Sequence, residues 1–405
     1  MLPARLRLFR HPFTVAAPFL LCGLLGLVVV AMEADEPAAT PTPAAKFETT
    51  GPWGKLEYYQ IRLEPPTSQM RGALLKEHTT WNFGSLTETG VLAALDTIGF
   101  SGEIMTLLES GGTWERGKNG LLLSVPDGVI EGLTPENRAA LADWFKLHNT
   151  PFHNQIVLNI EGGDFSAFDG GKVSAETLAA VKSLSFLRNG VLSVMDLPYL
   201  MKKIGNNPEE KEHFVRAIFS TRSLIVRLVI DETTDTQSVI DYWSQAGRIS
   251  RVESMVRGVE MTMGVDKIDI VHLLPPLARR YLYAFSNLSD TGVNNTPDCF
   301  WASIHFFKRN PSPRVLDALS FEHYLERDFT EIDGELRFGD LVCLLRPADN
   351  SFLHSYVHIA DDIVFTKNGA SSVHPFILTL KSDMMSRYLQ EGEFTTKVYR
   401  RNPDS

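Results

Sequence analysis

From about residue 53 to residue 290 apolar positions recur mostly three and four apart, the spacing of helices with one buried face. Three of these helices have marked starts: Thr134-Pro135-Glu136 before Leu141, Trp144 and Phe145; Ser174 before Leu178, Val181 and Leu184; and Asn207-Pro208-Glu209-Glu210 before Phe214 and Ile218. In each, a side-chain oxygen is placed to accept from a free N–H of the first turn, and in the first and third Pro135 and Pro208 give up a donor that has no partner there. A further helix is predicted around Val239-Ile240-Tyr242-Trp243. Strand patterns are fewer here. Leu56 to Leu63 is rich in β-prone residues and closed by Pro65-Pro66, and Gln155 to Ile160 reads as a short strand, whereas Leu224 to Ile230 fits a strand or a buried helix equally. Asp269 to Arg280 reads as an apolar element, a break at Pro275-Pro276 and a helix running through Leu282 and Phe285.

After a turn-rich join from Asn287 to Gly292 the pattern changes. Helical spacing from Cys299 to Phe307 and from Val315 to Tyr324 gives way to strands at Gly339 to Leu345, Ser355 to Ala360, Ile363 to Thr366, Phe376 to Leu380 and Thr395 to Tyr399. Helices followed by consecutive strands imply helices packed on an antiparallel sheet. The expected fold class is α+β, with a mainly helical α or α+β domain over 53–290 and a second domain over 291–405.

The beginning of the chain reads differently. Arg5, Arg7 and Arg10 precede an uncharged apolar run from Phe13 to Met32, and Glu33 and Asp35 follow. Residues 1–34 therefore read as a signal peptide cut after Ala31 or Ala34, or as an uncleaved single N-terminal membrane anchor. Residues 35–52, rich in Pro, Ala and Thr, read as a linker. Basic residues before the run keep that end cytoplasmic, so the rest is expected outside the cytoplasm, in a periplasm or cell envelope. The 405 residues carry a formal charge of −10 without long runs of one sign, which argues against nucleic acid as a partner. No phosphate loop and no metal-ligand spacing stands out, so neither cofactor nor metal is expected: His148 and His153 read as helix-end residues, Gly162-Gly163-Asp164 and Asp169-Gly170-Gly171 as turns, and His272 as a core histidine.

Chemistry concentrates near Thr296-Pro297-Asp298-Cys299-Phe300-Trp301. With Thr296 as cap and Pro297 as the first helical residue, Cys299 falls in an opening turn, where free N–H groups and the helix dipole favour a thiolate. Cys22 lies in the apolar run. Cys343 lies in an apolar strand and reads as an inert thiol, with a disulfide to Cys299 as the alternative in an exported chain.

Asp298-Cys299 opening a helix, Phe338-Gly339-Asp340-Leu341-Val342 opening the first strand, and His354 starting the next resemble the NlpC-type cell-wall cysteine peptidases, whose fold is a reduced papain-like one. The resemblance covers about the last 110 residues. It lays His354-Ser355-Tyr356-Val357-His358-Ile359-Ala360 on that family's His-Val-Gly-Ile-Tyr-Leu-Gly segment and Asp361-Asp362 on the hairpin after it. It implies Cys299 as nucleophile, His354 as base and Thr366 as the residue orienting the ring, where the family has His, Asn or Gln. Asn368, on the face of Thr366, and His374 are the alternatives for that third role. Trp301, Tyr356, His358 and Asn368 are the substrate-binding candidates, with 354, 356, 358 and 360 sharing one side of the strand by alternation. Phe300-Trp301 departs from the family's Ser-Gly pair after the cysteine. The implied reaction is attack of the thiolate on an amide of a peptidoglycan stem peptide or another peptide or amide substrate. The alternatives are a wall-binding or partner-binding module without turnover, and a lipid amide hydrolase or acyltransferase of the same fold.

Overall fold

The computed structural model describes residues 45–74, 78–118, 120–148, 157–168, 171–245, 249–286, 296–312, 318–389 and 392–403. The apolar run, the linker up to residue 44, His153, the start of the Gln155 strand, the Asp169-Gly170 turn, the join at 287–292 and the Val315 helix start lie outside the described residues; the end of the expected linker, Phe47–Gly51, is instead a strand paired antiparallel with Gly54–Leu63. Among the described residues no helix is long and apolar enough to cross a membrane.

The strands form antiparallel sheets. One has the order β1-β2-β9-β10: β1 (Phe47–Gly51), β2 (Gly54–Leu63), β9 (Thr221–Val229) and β10 (Lys267–Asp269). Two small sheets are β3 (Thr80–Asn82), β5 (Gly120–Ser124), β4 (Thr113–Gly117), and β6 (Leu158–Asn159), β8 (Val191–Val194), β7 (Ser185–Arg188). The largest runs β11 (Phe329–Ile332), β16 (Thr395–Arg401), β12 (Leu341–Leu345), β13 (Phe352–Ala360), β14 (Ile363–Lys367), β15 (Phe376–Leu380). With helices packed between and on these sheets, the fold is α+β.

The marked helix starts are present. Thr134 accepts from Asn137 N, Ser174 from Thr177 N and Asn207 from Glu210 N. The ambiguous Leu224 stretch is a strand: β9 pairs with β2 from Lys55 with Val229 to Leu63 with Thr221. Leu224, Val226 and Leu228 are buried while Arg227 is exposed, the period of two that a strand imposes. The helix expected to run through Phe285 stops at Tyr281. Tyr283 turns into the left-handed region with φ 65°, and its N–H donates to Phe376 O while Phe376 N donates to Ala284 O, so the chain leaves the helix to bridge to β15.

One hydrophobic core gathers residues from Met70 to Ile218 around Trp81, Phe83 and Phe145. A second joins Leu56, Leu224, Trp243 and Leu274 to Trp301, Phe306, Val357, Phe365 and Phe376. Residues on both sides of 287–292 therefore share it, and side chains reinforce the junction: Ser223 Oγ donates to Leu378 O and Tyr242 Oη to Ile359 O.

Gly339-Asp340 anchors the entry to β12. Gly339 has φ 90°, and a Cβ there would meet the Phe307 ring, so glycine is required. Gly339 N donates to His358 O and His358 N to Asp340 O. The buried Asp340 carboxylate accepts from Arg400 Nε (2.9 Å) and Nη2 (2.6 Å) and from Arg337 N (2.7 Å). Removing Arg400 strands that charge, so Arg400→Ala is expected to lower unfolding free energy by about 3 kcal/mol in urea titrations. Lys397→Ala, which breaks the exposed pair with Glu331, is expected to cost under about 1 kcal/mol.

Candidate functional site

The cysteine helix spans Cys299–Ile304. Its cap is Asp298, not Thr296: the Asp298 carboxylate accepts from Trp301 N at 2.9 Å, which leaves Thr296 and Pro297 outside the helix and makes Cys299 its first residue. The helix ends before Phe307 because His305 closes it, with backbone N–H and ring Nδ1 both on Trp301 O. Trp301 does not line an open pocket. It is 3% exposed, donates from Nε1 to Ser312 O and packs edge-on against Tyr281 and Phe376.

This helix lies on one face of the large sheet. Ser303 Oγ donates to Cys299 O (2.8 Å), so the 3.0 Å contact with Ser355 Oγ has Ser355 as donor. Cys343 is paired with Ser355 across β12 and β13. Carrying the Val357–Phe365 register two residues on brings Ser355 level with Lys367. The backbones of Ser355 and Phe300 and the charges of Asp298 and Lys367 all act on the Cys299 thiol. Burial, then the Asp298 charge, pushes the Cys299 thiol up to about 12, against smaller opposing effects of the Ser355 and Phe300 backbone and Lys367. Burial lowers the Lys367 ammonium to about 8, and its Nζ is spent on Gly369 O (2.7 Å) and Ser371 O (2.9 Å). Cys343 is likewise raised by burial, and both thiols are free.

His354 stands on the other face. Neighbouring strand side chains point opposite ways, and Ser355 faces the cysteine helix. The His354 ring stacks on Tyr388 of the helix Lys381–Tyr388, centroids 4.1 Å apart at 22°, and its Nε2 is 3.0 Å from Thr366 Oγ1. Thr366 Oγ1 donates to Ser355 O, so it accepts from Nε2–H, and Nδ1 is left as a buried acceptor without a partner among the described residues. Burial, then the Arg387 charge, lowers His354 to about 3, so the ring is neutral.

The structure therefore brings His354 and Thr366 together and places the sheet between them and Cys299. Tyr356 shares their face, packed with Val342, Leu344, Val364 and Met384. His358 is buried, and burial lowers it to about 4 despite the Asp340 charge. Ala360 does not share that side: a register shift between His358 and Ala360 turns it into the core of Val357 and Ile359. Asn368 is 6% exposed and lines a cleft with Thr379 and Arg387, its Oδ1 without a partner among the described residues. His374 accepts from Arg387 Nη2 at 3.0 Å through Nε2.

Sequence reasoning missed Ser303, Ser355, Lys367, Arg387 and Tyr388. A lysine closing the apolar run Ile363-Val364-Phe365-Thr366 was the available signal for one of them. Among the described residues no group of three or more His, Cys, Asp or Glu side chains is placed to hold a metal.

A buried neutral thiol reacts slowly. Iodoacetamide at pH 7 is expected to label Cys299 and Cys343 slowly and alike in the folded protein, and fast in urea; peptide mass spectrometry checks this, and rapid labelling of Cys299 alone would contradict the arrangement. A second expectation concerns acid. His305, His354 and His358 are held neutral by burial, at about 4, 3 and 4, so below 6.5 the unfolded chain binds more protons than the folded one. Their contribution to stability is full above pH 6.5 and is lost as pH falls toward 4 and 3. Urea titrations from pH 7 to 5 are expected to show this slope, and His358→Gln is expected to reduce it by about one proton.

Compared with protein-family models, curated proteins and solved structures, the chain matches none.

Proposed function

We propose that this chain is an extracytoplasmic binding protein built on a reduced papain-like arrangement that does not turn over its ligand. The arrangement is a cysteine at the start of a short helix laid on the antiparallel strands β12, β13 and β14. The observation that carries the reading is the placement of the His354 imidazole on the face of β13 opposite Cys299.

Amide hydrolysis by a cysteine needs a base within hydrogen-bond reach of the thiol. At the level of Cys299 the facing strand residues are Ser355 and Lys367, and the lysine is tied to Gly369 O and Ser371 O. A thiol held at about 12 supplies very little thiolate at neutral pH. The expected extracytoplasmic location and the family resemblance make cell-wall peptide the ligand to test first.

The full chain in detergent is expected to co-sediment with insoluble peptidoglycan and to release no new amino groups, with Cys299→Ala and His354→Gln behaving as the wild type. Amino-group release that Cys299→Ala abolishes would overturn this reading and return the chain to the cysteine hydrolases.

A further inference from the structure

On the face of the sheet that carries His354, two clefts of about 230 and 180 Å³ adjoin, sharing Asn159, Glu161 and Arg387. They lie where β14, β15 and the helix Lys381–Tyr388 meet β6, β8 and the Gly162-Gly163 turn.

Each cleft is lined by a residue that carries a buried polar atom without a partner among the described residues. In the larger it is Asn368 Oδ1, an acceptor on a residue 6% exposed. In the smaller it is His374 Nδ1. Because the Arg387 guanidinium donates to His374 Nε2, the neutral ring carries its hydrogen on Nδ1, which is therefore an unused donor. One bare acceptor and one bare donor are the complement of a peptide group.

The charges lining the larger cleft have both signs. Arg387 donates from Nη1 to Glu161 (3.3 Å), and Arg222 spends Nη2 on Asp164 (2.8 Å) and Ser166 (3.4 Å). Arg222 lies across the turn at Gly162, where a Cβ would fall 1.8 Å from the guanidinium carbon, so that approach requires glycine. Glu161 and Asp383 supply the carboxylates. Walls of both signs fit a ligand that is itself anion and cation.

We propose that these clefts bind a short peptide with free ends, its carboxylate toward Arg222 and Arg387, its ammonium toward Glu161 and Asp383, and its amide groups on Asn368 Oδ1 and His374 Nδ1–H. This names the site and ligand class of the binding function above and rests on that reading, in that the peptide is held and released uncut.

The test is titration calorimetry of the full chain in detergent with alanyl-alanine. Saturable binding is expected, at least tenfold weaker for the N-acetylated and for the C-amidated dipeptide. Arg387→Ala is expected to weaken it tenfold or more. Asn368→Ala is the cleaner variant: its carbonyl has no partner among the described residues, so removal is expected to leave Tm unchanged or raised while weakening the peptide about fivefold. No saturable binding, equal binding of the capped peptides, or wild-type binding by Asn368→Ala would each overturn the proposal. Binding with recovery of free alanine, lost in Cys299→Ala, would support the clefts and overturn the reading without turnover.

Discussion

The alternation of side chains along β13 is the constraint on which the rest of this structure depends. Ser355 is committed to the cysteine helix through Ser303, and that contact sends His354 to the opposite face. A change of register by one residue would exchange the two, putting an imidazole beside the thiol. The register is not free to change, because Gly339 N on His358 O and His358 N on Asp340 O pin the strand at its far end, and Arg400 holds Asp340. The Gly-Asp pair that looked like context for a catalytic centre is the fastening that fixes which face each residue of β13 takes.

Much of the fold was legible because it rests on local chemistry. Thr134, Ser174 and Asn207 each have a hydroxyl or amide oxygen three residues before an N–H that needs an acceptor, and the sequence shows this directly. At the cysteine helix Thr296-Pro297 and Asp298 both offer a start by local chemistry, two residues apart; the Asp298 carboxylate makes the bond seen to Trp301 N. The helix Lys381–Tyr388 leaves no such signal in the sequence, since Met384 is its only fully buried residue and short polar helices carry little periodicity.

The candidate site was legible as a set of residues but not as an arrangement. β12, most of β13 and β14 are buried on both faces, so polar and apolar positions do not alternate, and composition cannot say which side of the sheet a residue occupies. His354 and Thr366 could be paired because the family resemblance lays the base and its orienting residue on these two positions, and the 3.0 Å contact joins them. Relating that face to Cys299 requires knowing where the helix packs, which is a long-range contact carried by Ser303 and the surrounding aromatic residues.

The two faces of the sheet are satisfied to different degrees, and this difference bears on function. Beneath the cysteine helix Ser303, Ser355 and Lys367 have hydrogen-bond partners at their side chains. On the other face His354 Nδ1, Asn368 Oδ1 and His374 Nδ1 have none among the described residues. A buried polar group without a partner costs roughly 1–3 kcal/mol, a large share of the few kcal/mol by which a domain is stable. A sequence under no other constraint would replace such groups with apolar ones. Their grouping around Arg387, two of them at clefts, is what a surface shaped for a polar ligand requires, because the same atoms that weaken the free protein are offset when the ligand supplies their missing bonds.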